Sequence, residues 1–277
     1  MSEVKYTGYT ELELSDVQYN QVYSEHSLPE YIFHENEYVI AVNEYGEPLD
    51  KFCYQNGLLR PVKFTTFNNN YTGKLKPRNI HQELAFDMLK DKTSTVKLVT
   101  GTWGTGKTMS LVVAALEAVE KGDFEKIIWV RNNVQVKDTD QIGALPGDEH
   151  AKLLPYLGPM MDHVGGVEGI DLLISHGQLE VIPLAFLRGR SIRNAIIISS
   201  EAENLTKEHI QLLLGRVDKG SNLWMDADLK QRDRAVFEKS AGIETMIDRL
   251  KGEKLFGYVH LVKSERSETA RLADKLN

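Results

Sequence analysis

The stretch Gly101-Thr102-Trp103-Gly104-Thr105-Gly106-Lys107-Thr108 has glycines at its first and sixth positions, then a lysine and a hydroxyl residue. This spacing, G-x-x-x-x-G-K-[ST], suits the gripping of a phosphate chain. Glycines let backbone N–H groups converge on one anion, and a helix starting at the loop adds the positive end of its dipole. Lys107 is expected to reach the β- and γ-phosphates of a nucleotide, and the Thr108 hydroxyl to ligate Mg²⁺. The flanks agree: VKLVT before the loop reads as a strand, and KTMSLVVAALEAVEKG as an amphipathic helix ended by Gly122. ATP and Mg²⁺ are the expected ligands.

A P-loop ATPase also needs an acid at the end of a later strand, beside the metal. The best candidate strand is AIIIS, 195–199, and Ser200 and Glu201 follow it. Glu201 is placed to polarise the attacking water. Ser200 stands where an aspartate is expected; its hydroxyl can hold a water of the metal shell but adds no charge. Mg²⁺ keeps several waters and takes only one or two protein ligands. Metal binding is therefore expected to survive, with Asp228 or a water partly replacing the missing ligand and hydrolysis slowed. A third strand end, in MDADLKQRD, supplies Asp226, Asp228 and Gln231. These can sense the γ-phosphate or the attacking water, although such residues also cap helices.

These groups need a rigid frame. Apolar runs at 96–101, 126–131, 179–184, 195–199, 222–227 and 257–262 alternate with helical periodicity near 79–91, 107–122, 148–163, 169–176, 206–215, 238–250 and 267–276. Short apolar strands between amphipathic helices predict an α/β fold, its sheet mostly parallel and helix-covered on both faces. The ATPase domain is expected over 76–277. Ahead of it, EYVIAVNEYGEPLDKF reads as strand, turn, strand, so 31–75 is expected to be a small β-rich subdomain. FNNNYTGKLKP, 67–77, reads as a polar linker, and 1–30 as a loosely docked arm.

Bulk composition narrows the partners. The 277 residues are 42% hydrophobic with a net charge of -7, so nothing draws the whole molecule to nucleic acid or anionic lipid. The single cysteine, Cys53, cannot form an internal disulfide. The N-terminus has neither a basic nor an apolar signal region, and no apolar run is long enough to span a membrane. A cytoplasmic protein is expected. The histidines, His81 and His150 among them, show no metal-ligand spacing.

In order along the chain, Gly101–Thr108, IGALPGD (142–148), LAFLRGR (184–190), SEAEN (200–204) and DADLKQRD (226–233) resemble the PhoH-like ATPases, a branch of the helicase-related P-loop proteins. KPRNIHQELAFDMLKD (76–91) and KSERSETARLADKL (263–276) extend the resemblance to roughly 31–277. It is nearest to members with a PIN nuclease domain ahead of the ATPase. Too little chain precedes Tyr31 to hold one, so a stand-alone protein of the phage type, at work in a bacterial host, is expected. The resemblance implies a RecA-like P-loop NTPase fold, adenine recognition by Asn79 and Gln82, a catalytic role for Glu201, and a sensor pair in Asp228 and Gln231. It implies a nucleotide-facing arginine in Arg266, and a hexameric ring with ATP between subunits. In such a ring Arg131, Arg188, Arg190 or Arg266 would reach a neighbour's γ-phosphate as a finger. The chain departs from the family's D-E-A-Q-N at Ser200 and Glu203, and has Ala227 where the family has glycine before the sensor aspartate.

The resemblance also implies work on RNA, as a helicase-type motor or a helper of ribonucleases. Basic residues cluster at Lys74, Lys76 and Arg78 and at Arg188, Arg190 and Arg193; Tyr71 and Trp103 could stack on bases, or pack on protein and nucleotide. Three readings remain: an RNA-stimulated ring ATPase, a nucleotide-gated protein-assembly module, and a small-molecule kinase. The third lacks any recognisable lid or acceptor site.

Overall fold

Alternating apolar strands and amphipathic helices fold as their periods demand. The computed structural model describes residues 6–131, 157–230 and 242–265. The chain begins with β1 (Tyr9–Glu13), α1 (Asp16–Glu25), β2 (Tyr38–Val42), β3 (Pro48–Gln55) and β4 (Leu58–Pro61). A hairpin of β5 (Phe67–Asn69) and β6 (Gly73–Leu75) leads to α2 (Ile80–Lys90), β7 (Val96–Gly101), α3 (Lys107–Glu120) and β8 (Lys126–Arg131). Then come α4 (Gly158–Val164), α5 (Val167–Ser175), β9 (Leu179–Pro183), β10 (Ala195–Ser199), α6 (Lys207–Leu214), β11 (Asn222–Ala227), α7 (Gly242–Leu250) and β12 (Phe256–Leu261). The segment IGALPGD, the first part of the helix expected over 148–163, and the helix expected over 267–276 lie outside the described residues.

Among the described residues the main sheet has six strands in the order β12-β7-β11-β10-β8-β9, all parallel. Parallel strands buried on both faces read as unbroken apolar runs, as AIIIS does. Alternation along that run divides the core. Ile196 and Ile198 pack with α2 and α3 on one face; Ala195 and Ile197 pack with α6 and α7 on the other. This is the RecA-like P-loop arrangement expected, and β11 lies between the strand before the phosphate loop and the strand before Ser200.

Two local expectations are corrected. The described part of the supposed arm is built in: β1 pairs in parallel with β2 in a four-stranded sheet of order β1-β2-β3-β4, and Val22 of α1 is buried with Phe52 and Leu59. Its apolar residues are too dispersed to reveal a core face until β2 and β3 supply the other half. The supposed linker contains the β5–β6 hairpin. Phe67 is buried against Phe86, and the buried Asn69 side chain accepts the backbone N–H groups of Tyr71 and Thr72. One aromatic anchor and one amide-closed turn are hidden in a polar stretch.

Candidate nucleotide site

All the main strands run parallel, so the C-terminal ends of β7, β10 and β11 meet at one edge of the sheet. There they bound a cleft of about 460 Å³. The phosphate loop leaves β7 and enters α3 with Gly106 at the helix N-cap and φ of 88°. That left-handed conformation favours glycine. A Cβ on Gly106 would also stand 3.1 Å from Gln82 Nε2, and one on Gly101 would meet the Leu261 carbonyl oxygen at 2.6 Å. Lys107 Nζ donates to the Thr102 carbonyl at 3.0 Å, and Thr105 Oγ1 donates to the same oxygen at 2.8 Å. Trp103, Gly104, Lys107 and Thr108 all face the cleft.

Asn79 caps α2, its Oδ1 accepting the Gln82 N–H at 3.0 Å, and its Nδ2 donates to Glu265 Oε1 at 2.9 Å. Gln82 is buried and engaged at both ends of its amide: Oε1 accepts the Arg78 N–H at 2.8 Å, and Nε2 donates to the Thr105 carbonyl at 2.9 Å. In this geometry Gln82 is a brace for the phosphate loop. Glu265, absent from the expected site residues, closes the far side by donating its N–H to the Gly104 carbonyl at 2.9 Å. Only its place beside Arg266 in KSER marks it in the sequence. Arg266 and Gln231 lie outside the described residues, as does the Arg131 side chain.

Across the cleft, Ser200 and Glu201 follow β10. Glu201 adopts φ of 54°. For a residue with a side chain this conformation carries strain of about 1–2 kcal/mol, of the kind that gathers at functional sites. The aspartate hydrogen-bonded to Ser200 is Asp226 on β11. Asp226 Oδ1 accepts from Ser200 Oγ at 3.2 Å and from the Glu201 N–H at 3.4 Å. Burial raises its pKa above the usual carboxylate range; the Lys107 charge, with hydrogen bonds from Ser200, Glu201 and Thr108, pulls it partly back. Its Oδ2 is buried with no hydrogen-bond partner among the described residues.

Asp228 lines the same cleft. Its Oδ1 accepts the Lys230 N–H at 3.0 Å, and its own N–H donates to Glu203 Oε2 at 3.0 Å. Glu203 is itself buried at the cleft wall, and its pKa is pushed up to about 8. Burial is the main cause; two backbone N–H groups oppose it, and the charges of Asp226 and Glu201 add to it.

The chemistry of this donor set fits a metal held jointly with a nucleotide. Thr108 and Ser200 supply hydroxyls, Asp226 an unsatisfied carboxylate oxygen, and the phosphate loop converging amides. Among the described residues no group of three or more His, Cys, Asp or Glu could hold a metal by itself.

A parallel sheet with a complete phosphate loop at its C-terminal edge makes this a P-loop NTPase. The model of the PhoH-like protein family matches residues 74–273, and the chain belongs to that family, whose members are generally ATP-binding or ATPase-type proteins. It is 29% identical over 288 aligned residues to protein PhoH2 of Bacillus subtilis (strain 168), covering 98% of this chain and 64% of that protein. It is 34% identical over 206 residues to protein PhoH2 of Mycolicibacterium smegmatis, covering 73% of this chain and 47% of the relative. To the PhoH-like protein of B. subtilis it is 37% identical over 155 residues, covering 55% and 48%. The chain thus spans about half to two thirds of the length of the curated relatives it matches. No helix among the described residues is long and apolar enough to cross a membrane.

Proposed function

We propose that the chain binds ATP with Mg²⁺ in this cleft, hydrolyses it slowly, and works on RNA as a ring oligomer. The observation that carries the ATPase reading is the facing of Lys107 and Thr108 by Glu201 across one cleft. Lys107 and the N–H groups at the start of α3 hold the phosphates. The Thr108 hydroxyl and the acid–hydroxyl pair opposite it hold the metal, which when bound neutralises phosphate charge. Glu201 orients and polarises the attacking water. Ser200 is neutral where a charged ligand speeds the reaction, which favours slow turnover.

Support for RNA comes from Lys74, Lys76 and Arg78, exposed along β6 and the approach to α2, with Arg78 reaching the cleft wall. The second basic cluster contributes less. Arg190 pairs with Glu180 at 2.9 Å and Arg193 with Asp218 at 2.7 Å, which leaves Arg188 as the cluster's candidate finger.

ATP turnover with Mg²⁺, with and without single-stranded RNA, tests the proposal when read beside particle mass in ATP. Turnover is expected to be RNA-stimulated, to fall at least about 100-fold in Lys107→Ala and Glu201→Gln, and to coincide with a ring-sized species. ATP bound without turnover would replace the ATPase reading with a nucleotide-gated assembly module. Turnover indifferent to RNA would remove RNA from the proposal, and a monomer in every nucleotide state would remove the ring.

A further inference from the structure

We infer that the acid missing from the end of β10 has been relocated to β11: Asp226 supplies the carboxylate for the nucleotide's Mg²⁺, with Ser200 as its hydroxyl partner. The inference rests on the ATP-binding reading above and names the residue that completes its metal site.

Topology makes the relocation possible. In the order β7-β11-β10, the end of β11 lies one strand from the phosphate-loop strand and the end of β10 lies two. Neighbouring strands are about 4.8 Å apart. Parallel register sets Ser199 opposite Met225, and Asp226 opposite Val99 of β7, so Ser200 and Asp226 emerge at the same level. An acid on β11 therefore reaches the space before Thr108 and Lys107 from a strand closer in than an acid at position 200.

Bonding around the carboxylate points the same way. Oδ1 is held by Ser200 Oγ and the Glu201 N–H. Asp226 is 2% exposed, lines the cleft, and has no partner for Oδ2 among the described residues. A buried carboxylate oxygen without a donor is costly, so native proteins supply such an atom with a proton donor or a cation. Lys107 and Thr108, both in the phosphate loop, already interact with this carboxylate. Asp228, the other acid of the strand end, also lines the cleft, but its Oδ1 is bound in a local turn and its N–H is given to Glu203. Ser200 in this arrangement is no simple loss: its hydroxyl donates to the acid that has taken over.

The test is the gain in affinity for a fluorescent ATP analogue between EDTA and Mg²⁺. Asp226→Asn removes the charge and keeps an acceptor for Ser200 and Glu201. It is expected to cut the Mg²⁺-dependent gain about tenfold or more. Ser200→Asp combined with Asp226→Asn is expected to restore most of the gain by returning the charge to β10. Mn²⁺ electron paramagnetic resonance with ADP reads the same exchange directly: bound Mn²⁺ is lost in the single variant and recovered in the double. A single variant that keeps the full gain overturns the inference. So does a folded double variant, checked by its melting temperature, that fails to recover it, for Asp226 would then only support the turn at Glu201. Wild-type protein that binds the analogue equally well with and without Mg²⁺ overturns the inference and leaves nucleotide binding intact. No binding in either condition defeats the ATP-binding reading itself.

Discussion

Glu203 shows how one side chain ties the site to pH. Folding raises its carboxyl from 4.5 to about 8, chiefly through burial. The native state therefore holds a proton over a range in which the unfolded chain has released it. The associated stability is complete below pH 4.5 and is lost as pH rises through 8. In the nucleotide-free protein, the melting temperature is expected to fall between pH 6 and pH 9. Glu203→Gln should flatten that fall by at least about 2–4 °C, the shift that roughly 1 kcal/mol produces in a chain of this size. A profile unchanged by the substitution would show that Glu203 does not carry the proton. Residue identity alone made the departure at this position visible. The burial that changes its charge state was not visible, because it depends on β11 passing beside it.

At the scale of elements, the phosphate loop depends on a helix that is remote in sequence. The first turn of α2 positions Gln82, whose amide holds the Arg78 N–H and the Thr105 carbonyl together. Gln82→Ala leaves both groups without that partner inside the protein. A loss of about 1–3 kcal/mol is expected, measurable by denaturant titration. ATP affinity should also weaken about tenfold, since a loop that must be ordered on binding has part of the binding energy cancelled. An unaltered dissociation constant in the destabilised variant would separate the brace from the site. The sequence placed Asn79 and Gln82 before the phosphate loop, and the family resemblance implied contact with adenine. The fold adds that Gln82 already has partners at both ends.

Considered whole, the molecule welds its small N-terminal sheet to the edge of the main one. The Thr7 carbonyl accepts the His260 N–H of β12 at 2.9 Å. The buried Asn36 donates to the carbonyls of Lys254 and Phe256, each at 3.0 Å. Gly8, with φ of 85°, lies so close to β12 that an added Cβ would stand 1.9 Å from the Tyr258 carbonyl oxygen. Gly8→Val is therefore expected to cost more than about 2 kcal/mol through clash and left-handed strain. Because the two sheets share these bonds, thermal unfolding should be a single transition in wild type and variant, read by calorimetry. Two separated transitions in the wild type would show that the sheets fold independently.

The sequence by itself determined the phosphate loop, the alternation of strand and helix, and the absence of an acid at position 200. Each of these is local: a spacing of glycines, a period of 2 or 3.6, a residue type at a strand end. Strand order is not local. Nothing in the sequence states that β11 lies between β7 and β10, yet this order makes Asp226 the carboxylate beside Ser200 and leaves Asp228 in a turn. Nor could the dispersed apolar residues of 6–30, or Phe67 within a polar stretch, declare themselves as core. Their burial exists only once distant strands provide the opposing surface, because the free energy of burying apolar area belongs to the contact and not to the residue alone.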